Sequence, residues 1–146
     1  MASLVVELVT PEAVLYAGEA QGLMLRSTDG EFTVLPEHAT TVGDVVPSVV
    51  TVATAAGPVA FAVHGGYFEV VTAGSARDTR ATILAGVAER TSDIDVPRAQ
   101  AAKERLEARV AAARTDDDHA ALTLAVEALA RADLRLRAAH EALSAR

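Results

Sequence analysis

The sequence predicts a two-part α+β chain, an N-terminal β-sandwich of short strands followed by a C-terminal antiparallel α-helical hairpin. Three observations predict it. Short apolar runs broken by Gly and Pro turns recur at roughly ten-residue spacing up to Ala88. Segments rich in Ala, Arg and Leu follow, with apolar positions three and four residues apart. The step Asp95-Val96-Pro97 marks where helix grammar begins. The expected division is a head at residues 1–88 and a helical arm at residues 89–146.

In the head, strands are expected at residues 3–9, 22–26, 32–35, 49–53, 59–63, 67–72 and 79–84. Thr28-Asp29-Gly30, Ala56-Gly57-Pro58, His64-Gly65-Gly66 and Ala73-Gly74-Ser75 supply the turns between them. That spacing favours a sandwich or a barrel. Aromatic residues make up only 3% of the chain, so the core must be built from Val, Leu, Ile and Ala. Gly65-Gly66 lies between two strands rather than before a helix, which makes it a tight connection and not a phosphate cradle.

In the arm, Asp95 is suited to cap the first helix, and Pro97 falls in the first turn, where a missing N–H costs nothing. Ala99, Ala102, Leu106, Val110 and Ala113 then recur on one face, and this helix should run to about Arg114. Thr115-Asp116-Asp117-Asp118 is the turn, its carboxylates favouring the N-terminus of the next helix. One acidic cluster lacks the spaced oxygen ligands of a calcium loop, so no metal site is expected. The second helix should bury Leu122, Ala125, Leu129, Ala132, Leu136, Ala139 and Leu143 in the seam. Alanine permits close approach but buries little area, so the hairpin should be weakly held. Leu124 and Leu134 lie roughly 140° around the helix from Leu129, at ~100° per residue, and need another neighbour, either the head or a second partner.

Charge and composition exclude several function classes. The 146 residues carry a net charge of −7. Residues 1–90 account for −6 of it and residues 91–146 for −1. The last helix sets Arg131, Arg135, Arg137 and Arg146 against Glu127, Asp133 and Glu141, a mildly basic arm on an acidic head. No concentrated basic surface for nucleic acid is present. Hydrophobic residues make up 51% of the chain, yet no apolar run approaches the ~20 residues of a spanning helix, so no direct membrane insertion is expected. The N-terminus shows no basic n-region or cleavage site of a signal peptide. The absence of cysteine excludes disulfides and thiolate metal sites. Four scattered histidines, no Gly-x-Ser-x-Gly elbow and no P-loop give a non-catalytic reading.

Two stretches then carry a resemblance. Thr28-Asp29-Gly30-Glu31-Phe32-Thr33-Val34-Leu35-Pro36-Glu37-His38-Ala39, followed by Phe61-Ala62-Val63-His64-Gly65-Gly66-Tyr67-Phe68-Glu69-Val70, resembles the epsilon-subunit family of bacterial F-type ATP synthases. Val9-Thr10-Pro11-Glu12 and Asp93-Ile94-Asp95-Val96-Pro97-Arg98-Ala99 agree in order and spacing, so the resemblance covers nearly the whole chain. His64 stands where a small residue is common, and Pro97 is unusual inside the Ile-Asp-x-x-Arg-Ala motif.

The resemblance implies a subunit of the central rotor stalk of a proton-translocating enzyme, peripheral, at the cytoplasmic face of the bacterial cell membrane. By the same resemblance the sandwich binds the gamma subunit and rests on the c-ring, with Glu31 and His38 at the rotor contact. The hairpin folds on the sandwich or extends toward the alpha/beta catalytic ring, where its basic helix meets an acidic segment of a beta subunit and restrains ATP hydrolysis. No cofactor is required. In members that bind a regulatory ATP, the corresponding residues here are Glu89, Ile94, Asp95, Arg98, Ala99, Arg105, Arg131 and Arg135. The alternative from another class is a free-standing β-sandwich ligand-binding module with a helical dimerisation hairpin.

Overall fold

The computed structural model describes residues 2–144, so Arg146, counted above in the last helix, lies outside the described residues. The chain divides into two compact units, Met1–Arg90 and Thr91–Arg146.

The first unit is a sandwich of ten strands: β1 (Leu4–Val9), β2 (Val14–Glu19), β3 (Gly22–Ser27), β4 (Gly30–Val34), β5 (Thr41–Val45), β6 (Ser48–Thr54), β7 (Gly57–Val63), β8 (Gly66–Ala73), β9 (Asp78–Ala85) and β10 (Ala88–Arg90). They form two five-stranded sheets, in the orders β2-β1-β9-β8-β5 and β10-β7-β6-β3-β4. β1 runs parallel to β9, and the other neighbours are antiparallel. Strict alternation along β1 and β6 buries Leu4, Val6 and Leu8 from one sheet against Val50 and Val52 from the other, with Leu23, Val34, Phe61, Val63, Val70 and Ile83 completing the core.

Three strands have no counterpart in the sequence expectations: β2, β5 and β10. All three are sheet edges. An edge strand buries fewer side chains and so leaves a weaker alternation, as the largely exposed β2 shows. β10 also carries the sheet past Ala88, because Ala88, Glu89 and Arg90 pair with Val63, Ala62 and Phe61 of β7. The Arg90 guanidinium lies 5.8 Å from the centroid of the Phe61 ring. The head therefore ends after Arg90, and residue 89 belongs to the sheet rather than to the arm.

His64 and Gly65 take the chain from β7 in one sheet to β8 in the other. A β-carbon on Gly66 would sit 2.2 Å from the Leu84 carbonyl oxygen, so glycine is what lets β8 lie this close to β9 at the crossing.

The second unit has a 3₁₀ turn (Thr91–Asp93) and helices α1 (Val96–Thr115) and α2 (His119–Ser144). Asp95 caps α1, its carboxylate accepting the Arg98 N–H at 3.0 Å, with proline in the first turn. Asp118 does the same for α2 through the Ala121 N–H at 3.0 Å. α1 buries Ala99, Leu106, Val110 and Ala113, with Ala102 half-buried.

On α2 the expected seam holds in part. Ala125, Ala132 and Ala139 are buried and Leu122, Leu129 and Leu136 half-buried, but Leu143 is 64% exposed. The reason is length: α2 has 26 residues against 20 in α1, and residue 143 extends past the first turn of its partner. Of the two off-seam leucines, Leu134 is buried at 2% and Leu124 stays 68% exposed.

Candidate functional site

Three features of the described residues bear on function, two on the head and one on the hairpin. The first surrounds Glu31 and His38. Glu31 is the second residue of β4, exposed, and its carboxylate meets the cross-strand Arg26 at 3.1 Å. His38, in the loop that follows β4, is half-buried. Its ring packs edge-on against Phe32 at 4.9 Å, and its Nδ1 lies 2.8 Å from the Ala39 carbonyl. Both expected rotor-contact residues lie on or just after β4, Glu31 exposed on the strand and His38 against the ring of Phe32, whose side chain faces the other side of the sheet from Glu31.

The turn that carries Glu31 is fastened from a distance. Asp44 on β5 accepts both the N–H and the hydroxyl of Thr28. The Thr28 hydroxyl holds the Asp44 carboxyl below the usual aspartate value. Ser27 Oγ accepts the Asp29 N–H within the turn at 3.1 Å.

The second feature is an apolar face that sequence reasoning missed. On the outer side of β5, β8 and β9, Val42, Tyr67 and Leu84 are 73%, 70% and 56% exposed. The register sets Asp44 beside Tyr67 and Tyr67 beside Leu84, with Val42 beside Glu69. These residues line a shallow depression of about 550 Å³ whose lining includes the carboxylates of Asp44 and Glu69. Adjacent exposed apolar side chains on a flat sheet are the mark of an interaction surface. Because β5 was not recognised as a strand, nothing in the sequence signalled that Val42 would share a face with Tyr67.

The third feature is an arginine face on the hairpin. Arg98, Arg105 and Arg131 each precede a buried seam residue, Ala99, Leu106 and Ala132, by one position, and Arg135 follows Ala132 by three. At ~100° per residue all four are rotated to the same side of the seam, and in an antiparallel pair equal rotations end on one face. Lys103 and Asp133 are rotated the other way and meet at 3.0 Å on the opposite face. That bond also fixes the level of the helices. Arg105 stands level with Arg131, and Arg98 within about one turn of Arg135. The Asp133 carboxylate raises the Lys103 pKa above its usual value by hydrogen bonding and then by charge.

The remaining residues expected at a nucleotide site are distributed differently. Asp95 is engaged as the α1 cap, and Ala99 is buried in the seam at 5% exposure. Ile94 is half-buried between the 3₁₀ turn and α1, while Glu89 stands on β10 in the first unit. No group of three or more His, Asp or Glu side chains gathers among the described residues as a metal site would.

Comparison with known proteins adds the following. Residues 3–91 match the family described as ATP synthase, Delta/Epsilon chain, beta-sandwich domain. The chain is 40% identical over 107 residues to the ATP synthase epsilon chain of Desulforudis audaxviator, covering 73% of this chain and 74% of that one. It is 36% identical over 138 residues to that of Syntrophomonas wolfei, covering 94% of each. In three dimensions it is similar to a chain of the Euglena gracilis mitochondrial ATP synthase, in an assembly of OSCP, F1 and c-ring, with a TM-score of 0.73. That match covers 98% of this chain and 82% of the other at 20% identity, a likeness of fold.

Proposed function

Because the chain belongs to the epsilon-chain family of ATP synthases, we propose that it is a non-catalytic subunit of the central rotor stalk of a proton-translocating F-type enzyme. The head is the coupling platform and the hairpin the regulatory arm. The observation that carries this reading is the open apolar face of Val42, Tyr67 and Leu84, a surface with no chemistry of its own and every property of a docking site. The gamma subunit is its proposed occupant, with Asp44 and Glu69 selecting basic residues at the rim. The Glu31 and His38 surface is the proposed contact with the polar loops of the c-ring. Through these partners the chain is held peripherally at the cytoplasmic face of the bacterial membrane. The family leaves a free-standing ligand-binding module without support.

Replacing Tyr67 and Leu84 together by serine tests the docking face. Each exchange removes apolar burial worth about 1.5–3 kcal/mol if the face is covered in the complex, so gamma should bind at least about tenfold more weakly. Circular dichroism of the chain should not change, because both side chains are exposed in isolation. Undiminished capture of gamma would exclude this face.

The arginine face is the proposed site for the phosphates of a regulatory ATP, since guanidinium forks match phosphate oxygens in charge and geometry. Its four arginines come from two helices, so the site exists only while the helices are paired. ATP then favours the folded hairpin by its differential affinity, and its loss frees the arm to reach the alpha/beta ring and a beta-subunit acidic segment. Arg105→Ala and Arg131→Ala should each lose a contact of about 1.5–3 kcal/mol, at least tenfold in affinity by calorimetry. Wild-type binding in both would leave these arginines as solvated side chains. Deleting the chain after Arg114 should raise ATP hydrolysis by the catalytic complex, and unchanged hydrolysis would remove the inhibitory role.

A further inference from the structure

The loop between β4 and β5, residues 35–40, is held by a chain of hydrogen bonds that an exposed connection does not require. The Glu37 N–H donates to Thr79 Oγ1 at 2.8 Å, the hydroxyls of Thr79 and Thr72 lie 2.8 Å apart, and Thr72 Oγ1 donates to the His38 carbonyl at 2.5 Å. A hydroxyl has one proton to give. That of Thr72 is committed to His38, so Thr79 must donate to Thr72 while accepting from Glu37. The relay therefore runs one way, from the Glu37 N–H through two threonines to the His38 carbonyl, and each bond polarises the next. Two further ties close around it: the Thr72 N–H donates to Thr40 Oγ1 at 3.2 Å, and Arg77 Nε meets the Glu37 carboxylate at 3.2 Å.

Thr72 and Thr79 face each other across β8 and β9, and Thr79 is only 2% exposed. A valine would fill that position as well, without the cost of desolvating a hydroxyl. The loop also keeps Glu37 at a φ of 67°, a left-handed conformation that a side chain disfavours and that persists only where the surroundings impose it. The relay grips the N–H on one side of the Glu37–His38 pair and the carbonyl on the other.

We propose that Thr79, acting through Thr72, is a positioning residue that fixes the His38 backbone and so sets its ring on Phe32 at the rotor-facing surface. This rests on the reading of the Glu31 and His38 surface as a subunit contact. Thr79→Val preserves the shape and removes the relay, whereas Thr79→Ser preserves the hydroxyl. In the full-length chain, hydrogen exchange of the Glu37 amide accelerates at least tenfold in Thr79→Val and returns to the native rate in Thr79→Ser. In the reassembled enzyme, coupling of ATP synthesis to proton flow falls in Thr79→Val and is restored in Thr79→Ser, with His38→Ala and Glu31→Ala reporting on the surface itself.

Unchanged Glu37 exchange in Thr79→Val overturns the relay. Faster exchange with full coupling, beside an uncoupled His38→Ala, overturns the positioning role. Full coupling in both His38→Ala and Glu31→Ala sinks the reading of the surface and the positioning role with it, while the exchange result still decides the relay. Should Thr79→Val fail to fold, Thr72→Val breaks the same relay one link on, at a half-buried position.

Discussion

The head and the hairpin are held together by different amounts of the same force. The sandwich buries Leu4, Leu8, Leu23, Phe61, Ile83 and a set of valines at under 2% exposure. The hairpin seam buries Ala99, Ala113, Ala125, Ala132 and Ala139, with Leu106 and Val110 as its larger members. Burying a Leu, Val or Phe side chain is worth about 1.5–3 kcal/mol, an alanine methyl about 0.8. A platform that transmits torque needs the first kind of core. An arm that opens and closes needs the second, because only a small difference between its states can be reversed by a ligand or a partner. The contrast teaches that alanine in this seam keeps the folded hairpin regular without making it deep, which suits the regulatory arm proposed above.

The largest break in that comparison should come from the head core. Phe61→Ala removes a fully buried ring that packs edge-on against Tyr16 at 6.2 Å and lies under Arg90. It should cost about 3–5 kcal/mol, read as a fall in the urea midpoint of the β-sheet signal. A loss below about 1 kcal/mol would mean that the sandwich is not the rigid partner. Next comes Leu106→Ala in the seam, expected near the low end for buried leucine, about 2 kcal/mol, because its alanine neighbours let the helices close over the gap. Its effect should appear in the helical signal and leave the sheet transition in place. A shared shift of both signals would show that the two units unfold as one.

Smaller still is the Lys103–Asp133 bridge beside the seam. Lys103→Met should lower helical stability by less than Leu106→Ala does, since the bridge is partly exposed and screened by solvent. Its linkage has a definite sign. The raised Lys103 pKa makes the bridge contribute fully below the usual lysine value of 10.5 and fail as pH rises through the raised one. Loss of helix at alkaline pH should therefore be smaller in Lys103→Met than in the wild type. The head responds at the other end of the scale. Asp44 and Asp78 lie below the usual 3.8, held there first by the hydroxyls of Thr28 and Ser3. Their contribution is present above that value and is lost as pH falls through the lowered ones. Asp44→Asn should flatten the acid limb of the sheet transition slightly, and an unchanged limb would locate the acid response elsewhere.

Much of the head could be read from the chain because its central strands state their own periodicity. Ser3 to Val9 and residues 49–53 alternate strongly enough to predict β1 and β6. The edge strands β2, β5 and β10 state little, since half of each strand's neighbours are missing. In the arm, Asp95, Pro97 and the Ala99 to Ala113 face were legible because capping and helical spacing are local. Leu143 was misplaced because the seam ends where α1 ends, and spacing along α2 carries no record of that.

The sequence by itself determined the division into sandwich and hairpin, the helix caps and the family to which the chain belongs. Each follows from residues within a few positions of one another or from the order of short motifs. The tertiary structure alone decided the rest. It put Val42 and Tyr67 on one face by pairing β5 with β8, and it levelled Arg105 with Arg131 by joining Lys103 to Asp133. It also brought Thr79 to the Glu37 amide from 42 residues away. A hydroxyl or a carboxylate has no periodicity that names its partner. Its role is fixed only when the chain, folded for the sake of its apolar residues, delivers a donor within 3 Å.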